Sequence, residues 1–196
     1  MGLLQSDGRH RHGDGAARLN HRAAIRPAVA GPPAFAFGGS GPALDWGVRP
    51  RPIIVHSLAH ARAAAEAATA LGLPVTLHSA PGAGAYAGVA WFERLIAATR
   101  AEWPSVGVTA VLDCGDAADA VMAALRWLKQ PDRTPLALGY SGDRQTAARL
   151  DEMASALGIT LVGELAPGLD LHRTADPLAA SRMWLTKAVP AGMASE

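Results

Sequence analysis

The sequence predicts an α/β fold of five parallel strands alternating with helices. Three observations carry that reading. Short apolar runs recur between about residues 52 and 165, each followed by a stretch with helical character. Gly and Pro punctuate the joins between them. The runs are nearly continuous in hydrophobicity rather than alternating, as expected of strands covered on both faces in a parallel sheet.

The elements follow in order. PIIVHS is the first strand, and the Ala-rich LAHARAAAEAATALGL is a helix that ends at Gly72. Pro74 opens the second strand, VTLHSA, and the turn PGAGAYAG leads to the helix VAWFERLIAATRAEW. In that helix Trp91, Leu95, Ile96 and Thr99 share one side, and Pro104 stops it. VTAVLDCGD is the third strand and AADAVMAALRWLKQ the third helix, closed by Pro131. TPLALGYSG is the fourth strand, DRQTAARLDEMASALG the fourth helix, and ITLVGELAP the fifth strand. Asp116 and Asp143 are placed to cap the third and fourth of these helices. Beyond Leu165 no sixth strand is evident, and PLAASRMWLTKAV is a terminal helix with Met183, Trp184 and Val189 facing inward.

The domain plan is therefore a Gly/Pro/Arg-rich tail over residues 1–50, disordered or loosely docked, an α/β unit over 51–168, and a C-terminal loop and short helix over 169–196. The histidines of the tail, His10, His12 and His21, read as solvated. Strand–helix alternation implies right-handed crossovers. It fits part of a (β/α)8 barrel or, alternatively, an open doubly wound sheet. A complete barrel takes about 250 residues, more than the 196 present.

Composition excludes several classes. Charged residues make up 18% and aromatic residues 5%, with a formal net charge of +1, so no electrostatic or stacking footprint for nucleic acid is present. The single cysteine rules out an internal disulfide. No run reaches the roughly 18 to 20 apolar residues of a membrane span, and the N-terminus has no secretory h-region. The expectation is a cytoplasmic protein with no membrane or nucleic-acid partner.

Parallel α/β folds gather their chemistry at the C-terminal ends of strands. Those ends carry His56 and Ser57, His78 and Ser79, Asp113 with Cys114 and Asp116, Tyr140 and Ser141, and Glu164. Ser79 and Ser141 also suit the satisfaction of turn backbone groups. Asp113 and Glu164 end apolar runs, where an unpaired carboxylate is costly. Cys114, His56 and His78 are of the types that bind zinc. They come from three strands, however, with no local spacing between them. The glycines of SAPGAGAYAG, Gly82 among them, form a close-packed turn or a phosphate cradle, and no Lys follows to make a Walker loop.

Several of these segments, in order, resemble class II fructose- or tagatose-bisphosphate aldolases, over the first five strands of that barrel. LPVTLHSAPGAGAYAG is similar to the family's second strand and Gly-Ala-Tyr-Gly turn, VTAVLDCGD to the strand ending Leu-Asp-His-Gly, and ITLVGELAPG to the fifth strand. The resemblance implies that Asp113 stands at the catalytic acid/base position and Glu164 at the glutamate closing strand five. It puts Cys114 where the family has a metal-binding histidine. The family's other two metal histidines belong to later strands that have no counterpart in this sequence. The expected function is therefore a binding or interaction module without classical aldolase activity, with Ser79, Gly82 and Ser141 as ligand-binding candidates. The alternative is a zinc-dependent lyase acting on a small phosphorylated sugar, its site completed by oligomerisation. A receiver-like domain fits the strand count but not His56 and Ser57 after strand one. Uncovered sheet edges point to a homodimer as well as to a small-molecule or protein partner.

Overall fold

The computed structural model describes residues 51–187. The tail over 1–50 and the inward role expected of Val189 lie outside the described residues. The elements are β1 (Ile53–Val55), α1 (Leu58–Leu71), β2 (Val75–Ser79), α2 (Ala83–Tyr86), α3 (Val89–Glu102), β3 (Val108–Asp113), α4 (Ala118–Leu128), β4 (Ala137–Gly139), α5 (Arg144–Ser155), β5 (Leu161–Val162), β6 (Leu169–Asp170) and α6 (Pro177–Thr186).

All six strands are parallel, in the order β5-β4-β3-β2-β1-β6. The first five lie side by side in chain order. A doubly wound sheet carries helices on both faces, whereas here they pack side by side in one series, as on a barrel wall. The sheet is open, with β5 and β6 at its edges.

The sixth strand is a correction to the sequence reading. It is two residues long, and the sequence around it carries no apolar run to mark it. Pairing rather than composition creates it: Leu169 stands opposite Ile53 and Asp170 opposite Ile54.

Consecutive strands that neighbour one another, joined by right-handed crossovers, place all their helices on one face. The helices touch in the series α5-α4-α3-α1-α6. Ile53, Val55, Val75, Leu77, Ala110, Leu112 and Leu138 form the sheet side of the core, and Phe92, Ile96, Val121, Leu125 and Leu150 the helix side. α1 buries only alanines, Ala61, Ala64, Ala65, Ala67 and Ala68. Their small side chains let the helix lie close to both the sheet and α6. The opposite face carries Ile54, His78, Val111 and Ala137, which stand in register across four strands.

Local signals set the helix ends. The Ser57 hydroxyl accepts the His60 N–H at 3.2 Å to cap α1, and Gly72 ends it in the left-handed conformation with φ +64°. Asp143 caps α5, accepting the Thr146 N–H at 2.9 Å. Asp116 does not cap α4: the helix starts one residue later, from Ala117, with no side-chain cap. In α3, Phe92 rather than the half-buried Trp91 joins Leu95, Ile96 and Thr99 inside. In α6, Leu185 and Ser181 are buried and Met183 is 65% exposed, so Met183 does not face inward as expected. Among the described residues, no helix is long and apolar enough to cross a membrane.

The carbonyl of Pro52 holds the C-terminal segment. It accepts the Leu169 N–H at 3.0 Å and the Trp184 Nε1–H at 3.1 Å. The Arg51 guanidinium lies 3.9 Å from the centre of the Trp184 ring and donates to the Trp184 carbonyl at 3.3 Å. Gly168 makes the close approach feasible, since a Cβ there would sit 2.8 Å from the Pro52 oxygen. Gly168→Ala is therefore expected to weaken the β1–β6 junction by about 1 kcal/mol, the net worth of one hydrogen bond. Amide hydrogen exchange would show this as faster exchange at Leu169 with protection in β3 retained.

Candidate functional site

The C-terminal ends of β3, β4 and β5 enclose an open cleft of about 160 Å³, lined by Asp113, Gly139, Tyr140, Ser141, Gly163, Glu164 and Leu165. It is smaller than the usual ligand pocket of roughly 300–1,000 Å³ and suits only a few-atom ligand. The lining residues include Asp113, Glu164 and Ser141 but no Lys or Arg.

The cleft is built by backbone bonds between successive strand ends. Cys114 N–H donates to the Gly139 carbonyl at 2.9 Å, Tyr140 N–H to Val162 at 2.9 Å, and Ser141 N–H to Gly115 at 2.8 Å. Asp113 ends β3. Its N–H donates to the Ser79 hydroxyl at 2.9 Å, and its Oδ1 accepts the Gly115 N–H at 2.6 Å. Gly115 takes φ +58°, the left-handed geometry this turn needs. Gly139 leaves room for Leu165: a Cβ at residue 139 would lie 3.1 Å from a Leu165 methyl.

Of the residues singled out in the sequence, the structure brings Asp113, Ser141 and Glu164 together at this cleft. Ser79 lies beneath it, with its hydroxyl engaged by the Asp113 N–H and the Ala80 carbonyl. Gly82 is at φ +66°, ahead of the one-turn helix α2. The amides after it are spent locally, Ala83 N–H on the Ala80 carbonyl and Ala85 N–H on Gly82.

The three zinc-type residues do not meet. Cys114 is 1% exposed and belongs to the core under the helices. A Cβ on Gly84 would lie 2.5 Å from its Sγ. Burial, then Asp113 and Asp119, push the thiol up to about 12, so it stays protonated. His78 projects from the other face of the sheet, 6% exposed. His56 stands at the end of β1, where its Nε2 is 2.8 Å from Asp170 Oδ1. Among the described residues, no three His, Cys, Asp or Glu side chains are grouped to hold a metal ion.

A second polar centre, at the β1–β6 end of the rim, was not legible in the sequence. Asp170 accepts from His56 and, at 2.9 Å, from the His172 N–H. The His172 and His60 rings lie 5.0 Å and 6.0 Å from the His56 ring. The only signal was the spacing of Asp170 and His172 in GLDLHR, and it means nothing until β6 is seen to pair with β1.

Burial lowers the His78 pKa, with Asp113 pulling the other way. The unfolded chain then takes up this proton before the folded one. The stability His78 contributes is complete above the unfolded value of about 6.5 and is lost as pH falls towards the lowered folded value. Urea unfolding at stepped pH is expected to show that decline, and His78→Gln to flatten it.

No family model matches the chain. A fructose-bisphosphate aldolase of Xanthobacter flavus is 30% identical over 121 residues, which are 57% of this chain and 34% of that protein. A crystal structure from Coccidioides immitis that carries the name of a fructose-1,6-biphosphate aldolase matches at TM-score 0.49 and 20% identity, covering 58% of this chain and 45% of that one. The chain spans about a third of the length of the curated relative it matches, and over that span its sequence is similar to that fructose-bisphosphate aldolase.

Proposed function

We propose that this aldolase-like α/β protein is a binding module that takes a small, uncharged, hydroxylated ligand in the Asp113–Glu164 cleft, without zinc-dependent aldol chemistry. The observation that carries this reading is the orientation of Cys114. By resemblance it occupies a metal-ligand position, yet its thiol is protonated and sealed in the core beside Gly84. A zinc ligand must be a thiolate open to the ion. Asp113, the adjacent residue, points to the opposite side and lines the cleft.

The choice of ligand follows from the lining. Two carboxylates with no Lys or Arg repel a phosphate and accept hydrogen bonds from hydroxyl groups, while Ser141 brings a hydroxyl side chain to the same lining. The lyase reading has one specific observation in its favour, that Asp113 and Glu164 share one cleft, as an acid/base pair would require.

Ligand-observed NMR with dihydroxyacetone and with its phosphate tests the proposal. The uncharged triose is expected to bind and the phosphate not to. Gly139→Ala, whose methyl would crowd Leu165, is expected to weaken binding about tenfold, or 1.4 kcal/mol. Preference for the phosphate, or zinc-dependent cleavage of a ketose bisphosphate abolished by Asp113→Asn, would overturn the binding-module reading in favour of the lyase.

Thiol alkylation checks the Cys114 geometry directly. At mildly alkaline pH, iodoacetamide is expected to label Cys114 only as denaturant unfolds the chain, with the labelling midpoint coinciding with loss of helix signal. Rapid labelling of the folded protein would place the thiol at the surface and remove the main support for a metal-free cleft.

A further inference from the structure

The polar centre at the β1–β6 end of the rim takes no part in the cleft. Its members come from two parts of the chain that are far apart in sequence. His56 follows β1 and His60 lies in the first turn of α1. Asp170 ends β6, and His172 and Arg173 lie in the turn after it. One carboxylate serves three of them: His56 Nε2 at 2.8 Å, the His172 backbone N–H at 2.9 Å, and Arg173 Nε at 3.6 Å. His60 is tied in from behind, its Nδ1 accepting the His56 N–H at 3.3 Å.

The strand these groups hold is short. β6 pairs with β1 at two positions only. It is also held by the Pro52 carbonyl, by Leu171, buried in the core just after it, and by the packing of α6 on α1, with the Arg182–Glu66 pair at 3.6 Å on the outside of that helix contact. The polar contacts at the rim add to this short pairing at its solvent-facing end.

We propose that His56, His60, His172 and Asp170 form a proton-sensitive clasp, closed at neutral pH and opened by acid, that fastens β6 and the turn after it to the β1 edge. Charge counting gives the direction. Asp170 is the one carboxylate in contact with this group, and Arg173 already draws on it, so positive charge gained by the imidazoles in acid is not fully compensated. Such charge sets His56 and His60, on the sheet side, against His172 and Arg173, on the β6 side.

The local shifts agree with that direction. Burial lowers the His60 pKa, and His56 and His172 lower it further against the pull of Asp170. Burial alone would raise Asp170, but the His172 N–H, His56 and Arg173 outweigh it and hold the carboxyl below its usual range. It therefore stays ionised when His60 takes up its proton. For His60 the folded value lies below the unfolded one, so the stability of the closed clasp is complete above about pH 6.5 and falls as pH drops towards the folded value.

Hydrogen exchange on the full chain, read by mass spectrometry at about pH 7.5 and about pH 5, brackets the ordinary histidine range. After correction for intrinsic rates, peptides covering 166–175 are expected to lose protection in acid by about tenfold for each unit of pKa difference between closed and open states. Peptides covering β3 keep theirs. The His60→Gln/His172→Gln pair, which leaves the His56–Asp170 bond in place, is expected to stay protected at both pH values. Asp170→Asn is expected to lose protection already at neutral pH. Equal protection of 166–175 at both pH values in the unmodified protein overturns the proposal. So does a parallel loss in β3, which would mean general unfolding, or an acid loss unchanged in the double variant.

Discussion

Most of this structure follows from one constraint, that β1 to β5 are parallel and adjacent in the order in which the chain makes them. Each crossover must then turn the same way, and the helices collect in one layer. Every strand also leaves the sheet at the same rim. The apolar surface of the strands is consequently spent on one face, against alanine-rich α1 and the aromatic and aliphatic side of α3. The other face carries Ile54, Val111 and Ala137 beside His78, and the rim collects the polar groups. Had β3, β4 or β5 inserted antiparallel, Asp113, Ser141 and Glu164 could not have come to line one cleft.

The same geometry explains why neighbouring residues have unlike fates. In a strand, successive side chains alternate between faces. Asp113 and Cys114 are consecutive, so one belongs to the rim and the other to the helix-covered core. A sequence motif treats the two as a unit, and the resemblance to aldolases invites the same. The fold separates them, with the carboxylate at the cleft and the thiol held protonated by burial.

How much was readable in advance depended on where the physical signal lay. The five long-spaced apolar runs and the Ala-rich and amphipathic helices between them are local patterns, and so are the stops at Gly72 and Pro104. All of these could be seen in the sequence. β6 could not, because two residues carry no periodicity and exist as a strand only through pairing with Ile53 and Ile54. The grouping of Asp113, Ser141 and Glu164 was legible because each ends a recognisable strand. The histidine centre around Asp170 was hidden for the reason β6 was: its members approach only across a pairing between residues more than a hundred positions apart. Cys114 was misleading in a different way, since residue type suggests a ligand and only burial reveals that it points inward.

The shared acceptor at Pro52 has a consequence for the architecture of any longer chain that carries this unit. Because Arg51 and Trp184 are in contact, the peptide enters and leaves the α/β unit at nearly the same point on its surface. A unit with adjoining entry and exit can sit inside a loop of a host domain without stretching it, and its own ends can be joined by a short linker while new ends are opened elsewhere. The module is thus suited to insertion, or to circular permutation with new ends opened in a loop away from the sheet.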